Sequence, residues 1–229
     1  MIFGKIQYLL FWSNCYESST YKIFDKYLDR NHSYLDMGAF IGSTTLYCAH
    51  LAKKVYAIEP DPIAFAELKK NVYLNTVLKE KIELHQKCIN DKSGKVRFGS
   101  IAKGGDSTSS LQFADSQTSW IVDGITFNEF IIKNKITDCN FIKMDIEGGE
   151  TTVLPLMKDY LVKNKPVLYL SMHPLFFLNP VEDMKKIIEV LKIYKNVYTD
   201  KGKKIELQDL LLKNRLKGRY AIVATDKIF

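Results

Sequence analysis

The stretch "YLDMGAFIGSTTLYCAHLAKKVYAIEPDP", Tyr34 to Pro62, holds an apolar run ending in an acid, a glycine turn, a helical pattern and a second such run. "SYLDM" and "KVYAI" read as strands, and "STTLYCAHLA" sets Leu46, Ala49 and His50 at helical spacing. Strand, glycine turn, helix and strand in that order open the ligand-binding half of many sheets covered by helices. Asp61 can cap the helix that follows, with Pro62 in its first turn.

Outward from there the alternation continues. "DPIAFAELKKNVYLN" places Phe65, Leu68, Val72 and Tyr73 on one helical face with Lys69 and Lys70 opposite. "KIELHQKCI" alternates like one half-buried strand, "NDKSG" is a turn by composition, and "KVRFGS" returns to strand. "TSWIVDGITFNEFII" reads as a strand running into a helix, while "CNFIKMDI" and "KPVLYLSMH" read as buried strands. "GGETTVLPLMKDYL" is a helix interrupted near Pro155, "VEDMKKIIEVLKIY" an amphipathic helix and "GRYAIVATD" a closing strand. The only flexible-looking segment is "AKGGDSTSS", Ala102 to Ser110, which suits either a lid or binding loop or simple surface disorder.

Continuous apolar strands between helices predict a doubly wound α/β domain, its mostly parallel sheet covered by helices on both faces. Ligands of such sheets sit beyond the carboxyl ends of the strands. Met37, Glu59, Asp91, Asp145 and His173 are all expected to emerge there, in one crevice.

The 229 residues and 46% hydrophobic content suffice for one sizeable core. Residues 1–30 read as an N-terminal helical extension and 31–229 as the main domain. The apolar stretch "IQYLLFW", Ile6 to Trp12, is too short to span a bilayer and has no small-residue cleavage site after it. It reads as a short helix. Net charge +7 favours anionic surroundings, but the lysines are spread along the whole chain, so no nucleic-acid patch stands out. Cys15, Cys48, Cys88 and Cys139 form no CxxC pair and have no histidine cluster beside them, which argues against structural zinc. Reduced thiols in a cytoplasmic protein are the expectation.

"DMGAFIGSTT" is not GxGxxG: Phe40 and Ile41 stand where a pyrophosphate needs a close-approach glycine. Gly38 and Gly42 therefore suit a ligand with no phosphate at the turn, its polar end held by backbone amides and Asp36. Glu59, ending the second strand, stands where a carboxylate accepts both ribose hydroxyls. Two acids and a GxxxG turn fit a cationic nucleoside, S-adenosylmethionine, and count against a dinucleotide dehydrogenase.

"YLDMGAFIGSTTL", "AIEPDPIAFAELKKNVYLN", "CINDKSGKVRF", "TFNEF", "FIKMDIEGGETTVL" and "PVLYLSMHP" occur in this order between Tyr34 and about Pro174. In order and spacing they resemble the FkbM family of S-adenosylmethionine-dependent methyltransferases. The resemblance implies a Rossmann-like class I methyltransferase domain with a seven-stranded sheet. It further implies methyl transfer to oxygen, commonly a hydroxyl of a sugar or natural-product scaffold. By position, Asp36, Gly38 and Gly42 would face the methionine part of the cofactor and Glu59 its ribose. Pro60 would pack on the adenine, Asp91 would reach it from the third strand's loop, and Asp145 and Glu147 would line the reaction centre. Two positions depart from the family pattern: Phe127 and Asn128 stand where Leu-Asp is usual, and Ser171 where an acid precedes "MHP".

The sulfonium is already an activated donor, so collinear placement of acceptor, methyl and sulfur supplies most of the rate, on the order of 7 kcal/mol. A base for the hydroxyl proton adds roughly 10²- to 10⁴-fold, and His173 suits that task. Simpler roles remain open at each position. Asp36 can cap the following helix, Asp145 and Glu147 can serve as N-cap and first-turn acid of the helix near Gly148, and His173 can be a satisfied strand-end histidine. Asp145, Glu147 and His173 could also hold a divalent cation, but no spacing signature marks one, and no metal ligand is assigned. His32, His50, His85, Trp120, Phe176 and Phe177 read as packing or surface residues. The expected partner is a small-molecule or glycan hydroxyl acceptor. An RNA methyltransferase and a non-catalytic cofactor-binding partner protein are the alternatives.

Overall fold

A computed structural model describes residues 18–229; the helix expected over Ile6 to Trp12 and Cys15 lie outside the described residues. The chain runs α1 (Ser18–Tyr27), β1 (Ser33–Met37), α2 (Ser43–Leu51), β2 (Lys54–Ile58), α3 (Pro62–Leu74), β3 (Ile82–His85) and β4 (Cys88–Ile89). It continues through β5 (Gly94–Ser100), β6 (Thr118–Ile125), α4 (Phe127–Lys133), β7 (Cys139–Met144), α5 (Glu150–Leu156), α6 (Lys158–Asn164) and β8 (Val167–Met172). The last elements are α7 (Pro180–Leu191), β9 (Asn196–Thr199), α8 (Lys213–Leu216) and β10 (Tyr220–Thr225).

The main sheet has seven strands in the order β3-β2-β1-β7-β8-β10-β9. β10 is antiparallel to both its neighbours, and every other pairing is parallel. The chain winds outward from β1 to β3 and then returns to pair β7 against the other side of β1. Strand order therefore reverses between β1 and β7, the place where a doubly wound sheet opens a crevice.

Both faces of the sheet are buried, which is why its strands read as apolar runs. Leu35 and Met37 of β1 join Ile142 and Met144 of β7 on one face. Tyr34 and Phe141 point to the other, with Phe24 of α1. Phe24 sets its ring 5.8 Å from Tyr34, 5.5 Å from Phe141 and 5.9 Å from Tyr169. Burying a side chain of this size contributes about 1.5–3 kcal/mol, so α1 is held by core packing.

Local expectations hold at most elements. Asp61 caps α3, its Oδ1 accepting from the Ile63 amide at 2.8 Å and the Ala64 amide at 3.1 Å. The helix around Pro155 is interrupted at Met157, between α5 and α6. "KIELHQKCI" is not one strand. The Lys87 amide turns back to the His85 carbonyl oxygen at 3.0 Å, and Cys88 and Ile89 leave the main sheet to pair with β6. β4, β6 and β5 form a separate three-stranded sheet beside the main one. Tyr73, expected on the apolar face of α3, is exposed near the helix end, whereas Leu68 and Val72 are buried. β9 was not foreseen, its four residues being too few for a periodic signal. Cys48, Cys88 and Cys139 are buried and free.

Candidate active site

Strand register sets the frame of the site. Met37 lies opposite Ile58 of β2 and Met144 of β7, so Gly38, Glu59 and Asp145 leave the sheet at one level. His173 follows β8, which pairs with β7. All four line one cavity of about 490 Å³, within the usual range for small-molecule sites.

The floor of the cavity depends on a close approach of backbones. Gly38 has φ +79°, and a Cβ there would stand 1.8 Å from the Asp145 carbonyl oxygen. Only glycine allows the β1 turn and the end of β7 to touch. Behind this turn lies Asp36, wholly buried. Its Oδ2 accepts from Thr44 Oγ1 at 2.9 Å and Thr45 Oγ1 at 2.7 Å, and its Oδ1 is 3.2 Å from Lys143 Nζ. Lys143 Nζ also donates to the Gly38 carbonyl oxygen at 3.1 Å and stands 3.6 Å from Asp145 Oδ2.

Glu59 forms the second wall. Its Oε2 accepts from the Phe40 amide and its Oε1 from the Asp61 amide, both at 2.8 Å. Burial pushes its carboxyl up to about 7, against the two amide hydrogen bonds that pull it down. Each carboxylate oxygen has two acceptor sites, so both oxygens keep capacity for a ligand hydroxyl. Asp61 also ties down the loop over this wall, its Oδ2 accepting from the Gly105 amide at 2.8 Å and Ser109 Oγ at 2.6 Å. Asp106, Ser107 and Ser109 of this loop line the cavity. The segment that looked flexible in sequence is thus a pinned cover, its far end tied by Ser110 Oγ to the Glu147 carbonyl oxygen at 2.7 Å.

At the other end His173 stands among three carboxylates. Its Nε2 is 3.4 Å from Glu147 Oε1 and 3.7 Å from Asp145 Oδ1, and its Nδ1 is 3.3 Å from Glu150 Oε1. Burial alone would lower the imidazole pKa; Glu150, Asp145 and Glu147 outweigh it and raise it. Burial, then the charge of Asp145 with that of Glu150, pushes Glu147 up to about 7 although His173 pulls it down. Glu150 is wholly buried and also accepts from the Gly148 amide at 2.9 Å and the Ile146 amide at 3.3 Å. One carboxylate thus fixes both the turn that carries Glu147 and the ring of His173.

Of the residues singled out in sequence, Gly38, Glu59, Pro60, Asp145, Glu147 and His173 line the cavity. Three do not. Asp36 lies behind the lining, its carboxylate engaged by Thr44, Thr45 and Lys143. Gly42 takes φ +95° at the start of α2, and a Cβ there would meet Leu68 Cδ1 at 2.6 Å, so it serves packing. Asp91 is exposed in the turn after β4, because the break at Gln86 and Lys87 carries that strand into the small sheet. Asn128 is exposed on α4 while Ser171 lines the cavity, so only the second family departure bears on the site. Lys143, Glu150 and the second role of Asp61 were missed. "KMDIEGGE" already shows a lysine inside an apolar strand and a third acid, and the lysine was the available signal.

The methyltransferase FkbM domain model matches residues 36–199 of this chain. A crystal structure of methyltransferase FkbM from Methylobacillus flagellatus KT superposes with a TM-score of 0.54 at 19% identity, covering 84% of this chain and 43% of that one. This chain thus spans under half the length of that protein. A Streptococcus mutans protein described as a methyltransferase, solved with SAH, superposes with TM-score 0.50 at 11% identity over 91% of this chain and 96% of that one. A Streptococcus thermophilus rRNA methylase gives TM-score 0.50 at 9% identity, over 91% and 95%. At these identities the structures speak for the fold. No curated protein sequence matches.

Proposed function

This chain belongs to the FkbM methyltransferase family and uses S-adenosylmethionine as methyl donor, and from that premise we propose transfer to a hydroxyl oxygen of a carbohydrate or natural-product-like acceptor. One observation carries the choice of acceptor: Asp145, Glu147 and His173 open onto the same cavity as Gly38 and Glu59. When bound, S-adenosylmethionine supplies a sulfonium-activated methyl group. The Gly38 turn and Glu59 fit such a cofactor. A backbone without a side chain borders the cavity at one, and a carboxylate with spare acceptor capacity faces it at the other. Glu59 takes the ribose hydroxyls, and Pro60 lies beside the adenine.

Asp145, Glu147 and His173 orient the acceptor hydroxyl and favour departure of its proton. Asp145, about a third exposed, is the most open of the three. Pinning by Asp61 keeps the 102–110 cover in place and water out. Neutral polyols suit an end where Asp145, Glu147 and Glu150 outnumber the nearby Arg219 guanidinium, which weighs against RNA despite the net charge.

Methyl transfer from radiolabelled S-adenosylmethionine to a panel of sugars, glycosides and RNA is the test. Label on a sugar oxygen, with Asp145→Asn lowering kcat about 10²-fold at unchanged SAH affinity, is the expected result. Label on RNA alone would overturn the choice of acceptor.

A further inference from the structure

The acceptor end of the cavity carries more negative charge than its own hydrogen bonds use. His173 Nδ1 faces Glu150 Oε1, and an ionised carboxylate can only accept, so Nδ1 holds the proton of that contact. Nε2 is thereby turned toward Asp145 and Glu147. Its distances to them, 3.7 and 3.4 Å, exceed the roughly 2.7–2.9 Å of a charge-assisted hydrogen bond. Glu147 Oε2 is buried, its residue only 7% exposed, and has no hydrogen-bond partner among the described residues. Nε2 thus meets both carboxylates at contact distance without a charge-assisted hydrogen bond to either.

We propose that Asp145, Glu147 and His173 bind a divalent cation of the Mn²⁺ or Mg²⁺ class, leaving coordination positions open to an acceptor oxygen and water. One donor atom from each lies within 4.8 Å of the others. Adjacent ligands of an octahedral ion with bonds of about 2.1 Å stand about 3.0 Å apart and opposite ones about 4.2 Å. To occupy one face, His173 Nε2, now 3.4 and 3.7 Å from the two carboxylates, and the carboxylate oxygens, within 4.8 Å of one another, would close to about 3.0 Å, a shift that side-chain rotation of the partly exposed Asp145 can supply. Two carboxylates with one imidazole, in a site that leaves positions open to oxygen ligands, suit a hard to borderline ion such as Mn²⁺. Glu150 is the positioning residue. A carboxylate hydrogen-bonded to the far nitrogen is the usual partner of a metal-bound histidine, and it fixes the ring so that Nε2 points at the ion. The ion would hold and polarise the acceptor hydroxyl. That use of the ion rests on the methyl-transfer reading; its binding does not.

Chelator-treated full-chain protein is titrated with MnCl₂, following free Mn²⁺ by electron paramagnetic resonance and bound Mn²⁺ by water proton relaxation. SAH binding is measured on the same samples by calorimetry. One Mn²⁺ per chain is expected, with Kd below about 100 μM, and with relaxation enhanced because water keeps a coordination position. Glu147→Gln should weaken it at least about tenfold and Glu150→Gln about 10- to 100-fold, with SAH affinity kept as proof of folding. Absence of Mn²⁺ binding up to millimolar concentration in protein that binds SAH would overturn the cation site and leave the methyltransferase reading standing. Mn²⁺ binding equal in parent and Glu147→Gln would overturn it too. Mn²⁺ binding that depends on Glu147, in protein that never binds SAH, would support the site and remove the donor assignment instead.

Discussion

Lys143 Nζ lies 3.2 Å from Asp36 Oδ1 behind the cofactor wall, the two side chains 6% and 0% exposed. The same ammonium reaches the Gly38 carbonyl oxygen at 3.1 Å, so the pair braces the turn that a ligand would touch. Removing Asp36 takes away the nearer counter-charge of the buried ammonium, Asp145 Oδ2 standing farther off at 3.6 Å, and breaking a buried pair in this way costs about 3–5 kcal/mol. Asp36→Asn should therefore lower stability by about 3 kcal/mol, and the double variant with Lys143→Met should lose much less than the sum of the singles. A denaturant double-mutant cycle with no coupling would remove the bracing role.

Glu59 gives a pH dependence whose sign can be worked out. Its carboxyl is raised to about 7 by burial, so below that pH a proton occupies an oxygen that should accept a ribose hydroxyl. SAH affinity should fall by up to about tenfold per pH unit below 7 and level off above it. Calorimetry in two buffers of different ionisation enthalpy would show proton release on binding at pH 6.5, and none for Glu59→Gln. For stability the same shift acts in the opposite sense. The contribution of Glu59 is full below the ordinary glutamate pKa and is lost as pH rises through about 7.

Asp61 joins a helix cap to the loop above the cavity. Asp61→Ala should cost about 1 kcal/mol from the lost cap of α3 and should also release the loop held at Gly105 and Ser109. Limited trypsin digestion reads the second effect, since Lys103 is exposed within the loop. Faster cleavage at Lys103 is expected in Asp61→Ala, and to a smaller degree in Ser109→Ala. Equal rates in all three proteins would mean that the loop is held by other contacts.

The two turn glycines should respond differently to alanine. In Gly38→Ala the new Cβ meets the Asp145 carbonyl oxygen, which no rotamer change can relieve, and loss of soluble folded protein is expected. In Gly42→Ala it meets a flexible leucine methyl, leaving mainly the left-handed backbone strain of about 1–2 kcal/mol. For a domain of this size that is about 2–8 °C in Tm, with SAH binding retained.

Local chemistry was legible in the chain itself. Strand and helix periods repeat every two or about four residues, so "SYLDM", "KVYAI" and the capped helix after Asp61 follow from neighbours in sequence. Run in order, those elements determined the doubly wound class, and the strand-end acids pointed to the crevice that holds Glu59, Asp145, Glu147 and His173. Tertiary structure alone decided which way each acid turns. Asp36 is 107 positions from the lysine that takes it inward, Asp91 is carried off by a two-residue break in its strand, and Glu150 meets His173 only because β7 and β8 lie side by side. Burial and charge pairing at such separations depend on sheet order and register, which arise once the whole core has closed.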